Sequence, residues 1–330
     1  MMKSEMKRFT TIFILATSVF TMMQCRSKSD EKVTTIGLFQ FASRITVDEA
    51  MKGVRDVLAD SGYIDGKNCR IIYRNAENDF STAQSMANEF VVKNVDIIIS
   101  ITTPCLQVTA NANKTIPHVF GMVTDPYLVG AAKSPTEHQP NLTGLATFQP
   151  VADGVDLIKR VLPKAKRIGV IWNPSEVCSQ ACLSRMRPAM QKNGFELIEV
   201  TVTSTNEVQM AAQSLVEKKV DAIYISGDNT VELAIATIAA VANPEKIPVV
   251  TNNPMHTEKG ALMSIGADYY TVGKETAKLA VRVLKGEKPA DIPISDLLPK
   301  ELWLNREVAT EMRIRFPETV VAQAKKIVGK

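Results

Sequence analysis

Cysteine is scarce, with five residues in a chain of 330. Cys25 stands near the start, and Cys69, Cys105, Cys178 and Cys182 are spread over the rest. So small a set excludes a disulfide-stapled scaffold. Histidine is scarcer still: His118, His138 and His256 lie far apart, and none stands beside Cys178 and Cys182. The sequence therefore offers no metal site and calls for no cofactor, and the two neighbouring thiols read as small buried residues. Charge of one sign is also lacking. The net is +4, and Lys3, Glu5, Lys7 and Arg8 supply half of it, which leaves no basic face for nucleic acid. No low-complexity tract or block of like charges suggests a disordered tail. What is present is 45% hydrophobic residues over a length that suits two ordinary domains.

A hydrophobic run long enough to span a membrane is missing too. The start, "MMKSEMKR", is basic, and the apolar stretch from Phe9 to Met23 is shorter than the roughly 20 residues a spanning helix needs. That pattern is a secretory leader over residues 1–24. Cys25 follows it directly and resembles the acylated cysteine of a bacterial lipobox, with 25–32 as a polar tether. The working part is thus expected to be exported and lipid-anchored to a bacterial membrane.

From Val33 onward, strand-like and helix-like patterns alternate, which implies parallel strands covered by helices. The series then restarts. "TTIGLF" is answered by "RIGVIW", "VDIIISI" by "VDAIYIS", and "IPHVFGMV" by "IPVVTN". The pairs Ile36-Gly37 and Ile168-Gly169, Val95-Asp96 and Val220-Asp221, and Ile116-Pro117 and Ile247-Pro248 recur at almost one spacing. The predicted fold class is α/β, as two doubly wound parallel-sheet lobes. Ligands of such sheets bind beyond the carboxyl ends of the strands, so two facing lobes make a cleft lined by their strand-end loops.

Those loops can be read off. The first lobe offers Gln40, Phe41 and Arg44, then Thr103, Pro104 and Cys105, then Thr124 and Asp125. The second offers Trp172, Asn173, Ser175, Glu176 and Ser179, then Asp228 and Asn229, then Asn252. Thr103-Pro104 has the chemistry of a helix start, whose free N–H groups favour a carboxylate. The loop charges are lopsided, Asp125, Glu176 and Asp228 against Arg44, which disfavours a phosphate. A zwitterion fits, its carboxylate on the Thr103 helix and its ammonium near Asp228. Phe41, Trp172 and Tyr269 could form a flat apolar wall.

The stretches "SGYIDGKN", "VDIIISITTP", "VTDP", "PKAKRIGVIWNPSE", "DAIYISGDNT", "GADYY" and "LKGEKPADIP" resemble, in order, bacterial ABC-transporter substrate-binding lipoproteins of the tryptophan/tyrosine-binding type, with a type I periplasmic-binding-protein fold. The resemblance covers about Val33 to Arg313. It implies a hinge of three crossings, with residues 33–163 plus 261–286 as the N-lobe and 164–260 plus 287–330 as the C-lobe. It also implies that Thr103 and Thr124 hold a ligand carboxylate, that Asp228 with Asn229 holds the ammonium, and that Ser175, Glu176 and Ser179 close from the other side. Asp268 and Tyr269 would sit near hinge and cleft. One departure from the family pattern is Cys178 in "NPSEVCS".

The expected function is capture of a small zwitterion, an amino acid and aromatic by the resemblance, by hinge closure in a monomer that delivers it to an ABC permease and its ATPase. No nucleophile–base–orienter set is present, so no enzyme is expected. The alternatives are a ligand-sensing lipoprotein that reports to a receptor, and a two-cysteine racemase built on Cys105 and Cys178.

Overall fold

A computed structural model describes residues 33–329. The predicted leader, Cys25 and the tether lie outside the described residues.

The chain opens with β1 (Thr34–Gln40), α1 (Ile45–Asp60), β2 (Cys69–Asn75), α2 (Phe80–Val92), β3 (Ile97–Ile101), α3 (Thr103–Ala112), β4 (His118–Val123) and β5 (Leu142–Ala146). There follow α4 (Val151–Val161), β6 (Arg167–Trp172), α5 (Val177–Lys192), β7 (Glu196–Thr201), α6 (Val208–Glu217), β8 (Ala222–Ile225), α7 (Asn229–Glu232), α8 (Ile235–Ala242), β9 (Val249–Thr251) and β10 (Met263–Ala267). The last elements are α9 (Tyr269–Leu284), β11 (Ser295–Asp296), β12 (Lys300–Asn305), α10 (Arg306–Met312), α11 (Glu318–Val321) and β13 (Lys326–Val328).

The first sheet runs β11-β5-β4-β3-β1-β2, and the second β13-β12-β10-β9-β8-β6-β7. Five strands of each thus share one winding, and every pairing is parallel except that of β10 with β12. The architecture is the expected pair of α/β lobes. Leu233-Ala234 separates α7 from α8.

The repeated dipeptides have equivalent duties. Thr35 N–H donates to Asp96 Oδ2 at 2.8 Å, and Arg167 N–H to Asp221 Oδ2 at 2.8 Å, so each aspartate clamps the start of its lobe's first strand. A Cβ on Gly37 would stand 2.8 Å from the Phe90 ring, and one on Gly169 would stand 2.9 Å from Leu215. Each glycine lets a helix, α2 or α6, lie close on its sheet. Strand alternation divides the cores. Ile36 and Leu38 face α1 and α9, while Phe39 faces Phe90 of α2. In the second lobe, Val170 and Tyr224 face α4 and α5, while Ile171 and Ile223 face α6 and α8.

The lobe boundaries differ from those expected. The helix at 151–161 was assigned to the first lobe, but its apolar stripe, Val151, Val155 and Ile158, packs with Leu183 and Met186 of the second. The first crossing is therefore residues 147–150. The return was placed near Ala261, yet β10 stays in the second sheet on β9 and β12, and the chain crosses only at Asp268. The last crossing was placed after Gly286, but β11 pairs with β5, so it falls at 297–299. Only α9 and the segment through Asp296 revisit the first lobe.

Candidate functional site

Two strand-to-helix corners approach each other across the cleft. In the first lobe, β3 is followed by Thr102, whose φ of 90° is a rare conformation for a β-branched residue. Such strain gathers at sites that need it. Pro104 occupies the first turn of α3, and Thr103 Oγ1 accepts from Thr124 N–H at 3.1 Å. The hydroxyls and the first amides of α3 thus point to one region where a helix start favours an anion.

The second-lobe corner is built by two buried carboxylates. Asp228 caps α7, its Oδ1 accepting from Val231 N–H at 2.8 Å. Its Oδ2 accepts from Asn173 N–H at 2.6 Å and from the Ser179 hydroxyl at 2.7 Å. Glu176 Oε1 accepts from the amide and hydroxyl of Thr230 at 2.9 and 2.6 Å. Its Oε2 accepts from the amide and side chain of Asn229 at 2.9 and 2.6 Å. Burial, helped by the nearby Glu176 charge, pushes the Asp228 acid up to about 7.

Between the corners lies a narrow cavity of about 30 Å³. The first lobe lines it with Arg44, Thr102, Thr103, Met122 and Thr124, and the second with Cys178, Gly227, Asn229 and Glu232. Gln149, from the first crossing, and Tyr269, just past the second, complete it. Arg44 Nη1 meets Glu232 Oε2 at 3.2 Å, and Arg44 Nη2 donates to Asn229 Oδ1 at 2.5 Å. Burial raises the Glu232 acid while Arg44 opposes the shift. Gln149 Nε2 donates to the Tyr269 hydroxyl at 2.7 Å. Three buried polar atoms of the lining, Arg44 Nε, Thr102 Oγ1 and Gln149 Oε1, have no protein partner. Thr124 and Gln149 also border a wider recess beside the hinge, where the Arg185 guanidinium lies 3.4 Å from the Phe148 ring centroid.

Of the residues singled out in the sequence, Thr103, Thr124, Asn229 and Tyr269 line this cavity. Asp125 borders the hinge recess, where its Oδ1 caps a turn by accepting from Tyr127 and Leu128 N–H. Asp228 is not a free carboxylate for an ammonium, because three donors of its own lobe occupy it. Glu176, Asn173 and Ser179 belong to the same capping network, and Ser175 is exposed with its amide on Asn173. The expected aromatic wall keeps only Tyr269. Phe41 is buried in the first-lobe core and packs edge-on against the exposed Phe80 ring at 5.2 Å, and Trp172 packs into the second-lobe cluster. Gln40 bonds Ser43 and Asp48, Pro104 is buried in the first turn of α3, Asn252 accepts from the Tyr224 hydroxyl, and Asp268 caps α9. The racemase alternative loses its geometry. Cys105 is buried among Phe39 and Phe90 instead of facing Cys178, and burial raises its thiol far above the ordinary range.

Glu232, Gln149 and Met122 escaped the sequence reading, and Arg44 was noted only as a charge. Glu232 could have been found one helical turn after Asp228, on the face that turns to the cleft. Gln149 stands in "FQP", which became readable only once the first crossing was located.

The family described as ABC transporter substrate binding protein matches residues 35–328. The chain belongs to that family. A tyrosine-binding protein of Clostridioides difficile is 36% identical over 282 residues, 86% of this chain and 81% of the relative. A Streptococcus pneumonia domain solved with L-Trp is 32% identical, with a TM-score of 0.85 over 89% of this chain and 99% of that one. A ligand-free, open substrate-binding protein of Clostridium difficile is 33% identical, covers 90% of this chain and 100% of its own, and has a TM-score of 0.68. In this structure the two lobes touch through the buried Arg44–Glu232 pair. The fold is the two-lobed periplasmic-binding-protein fold. As a substrate-binding protein of an ABC importer, the chain binds a solute outside the cytoplasm and is not an enzyme.

Proposed function

We propose that this substrate-binding protein captures an aromatic L-amino acid by its α-carboxylate and α-ammonium. One observation carries the reading: the polar lining of the cavity is sorted by sign. The hydroxyls of Thr102, Thr103 and Thr124, the start of α3 and Arg44 gather on the first-lobe side. Glu232 and the unpartnered Gln149 Oε1 supply acceptors opposite. A carboxylate suits the first group and an ammonium the second. Tyr269 and Met122 give apolar surface beside them, and the hinge recess offers space for a larger group. The tyrosine-binding and L-Trp-bound relatives support an aromatic side chain. Closure removes the ligand from water, and the closed monomer is presented to an ABC permease and its ATPase.

The lipid anchor at Cys25 belongs to this proposal. Cys25→Ser should shift the protein from the membrane fraction to the soluble one, and unchanged membrane attachment would refute the anchor. The ligand class is tested by thermal unfolding of ligand-stripped protein against amino acids, sugars and nucleosides. A ligand at a hundredfold excess over Kd adds about 2.7 kcal/mol. Upward shifts are expected with tyrosine, tryptophan or phenylalanine, and a shift with sugars alone would overturn the assignment.

A further inference from the structure

The inner cavity has a charged wall. Arg44 and Glu232 line both that cavity and an outer recess of about 460 Å³, which also takes residues from both lobes, among them Asp48 and Leu233. The ion pair is therefore the partition between inside and outside, and it is itself buried, with side chains 7% and 10% exposed. Arg44 spends Nη2 on Asn229 Oδ1 and leaves Nε without a partner.

A buried pair gains Coulomb energy but loses hydration of both charges, and the two nearly cancel. Removing one partner is a different matter, because it strands a buried charge. The pair can therefore yield cheaply only to an occupant that satisfies both ends. A zwitterion does so, its carboxylate answering Arg44 and its ammonium answering Glu232. An ion of one sign satisfies one residue and strands the other.

We propose that Arg44 and Glu232 are specificity-determining residues: they neutralise each other across the lobes, and a ligand must bring one charge of each sign to replace that pairing. The inference rests on the amino-acid reading above and adds the residues that enforce it.

The test is calorimetric titration of the ligand-stripped mature chain and its E232Q and R44Q variants. The probes are L-tyrosine, 3-(4-hydroxyphenyl)propionate, which lacks the ammonium, and tyramine, which lacks the carboxylate. Wild type should prefer L-tyrosine over both analogues. Each variant should lose roughly 10- to 100-fold for L-tyrosine, as expected for a missing charged hydrogen bond. E232Q should then bind the propionate more tightly than wild type does, and R44Q should do the same for tyramine. Parallel weakening of all three ligands would mean a structural role only and would overturn the proposal, as would L-tyrosine affinity left within about twofold of wild type. Small-angle scattering of the ligand-free proteins tests the pair without any ligand. E232Q, verified as folded by circular dichroism, should be more expanded than wild type, and identical scattering would refute the pairing across the lobes. A wild type that binds no aromatic amino acid would defeat the amino-acid reading, while the scattering result still decides the pair.

Discussion

Asp228→Ala separates a capping carboxylate from a ligand-binding one. The substitution removes the acceptor of three donors, Asn173 N–H, Val231 N–H and the Ser179 hydroxyl, at 2.6, 2.8 and 2.7 Å. The hydroxyl can turn to another acceptor, but the two backbone groups cannot. Each stranded buried N–H costs about 1–3 kcal/mol. Relief of the repulsion between Asp228 and Glu176 offsets part of this, so the net loss should be about 2–4 kcal/mol. Urea unfolding should show it as a lower midpoint with an unchanged slope. The acid also leaves a signature in pH. Its folded value is raised from 3.8 to about 7, so the fold favours the protonated form. That contribution is whole below about pH 4 and is lost as pH rises through 7. Asp228→Asn should therefore flatten the fall in stability over that window. If Asp228→Ala kept wild-type stability and abolished ligand binding, Asp228 would be a ligand contact and the capping account would be wrong.

Two further substitutions test the frame that positions the site. A Cβ on Gly273 of α9 would stand 1.9 Å from Ala50 O of α1, so Gly273→Ala should force these helices apart and cost about 1–3 kcal/mol in urea unfolding; no loss would refute the close contact. The Tyr224 hydroxyl bonds Asn252 Oδ1 at 2.5 Å and Val151 O at 3.0 Å, tying the second sheet to the end of the first crossing. Tyr224→Phe should cost about 1–2 kcal/mol, and a neutral result would mean that the crossing is held by other contacts.

The duplicated winding was legible because its markers have local duties. Asp96 and Asp221 each clamp a first strand, and Gly37 and Gly169 each admit a helix, so the same physics left the same dipeptides twice. The crossings were not legible. The stripe Val151, Val155 and Ile158 shows that α4 buries a face, but nothing in the periodicity says which lobe receives it. Phe41 could have been placed, since it follows Phe39 by two residues and strand alternation carries both toward the same core. The acidic residues were harder. Asp228 and Glu176 read as cleft charges because a carboxylate that caps a helix and one that meets a ligand look alike in sequence. Only the folded corner shows their oxygens already taken, and only there does Glu232 emerge facing Arg44 across the lobes.

The central claim is that a zwitterion lies between the α3 corner and Glu232. A crystal structure of the mature chain with L-tyrosine tests it most directly. The account predicts the ligand carboxylate within hydrogen-bond distance of Thr103 and Thr124, with the ammonium beside Glu232 and Asp228 still bonded to Asn173 and Ser179. An ammonium seated on Asp228, or a ligand outside the cavity lined by Arg44 and Glu232, would contradict it.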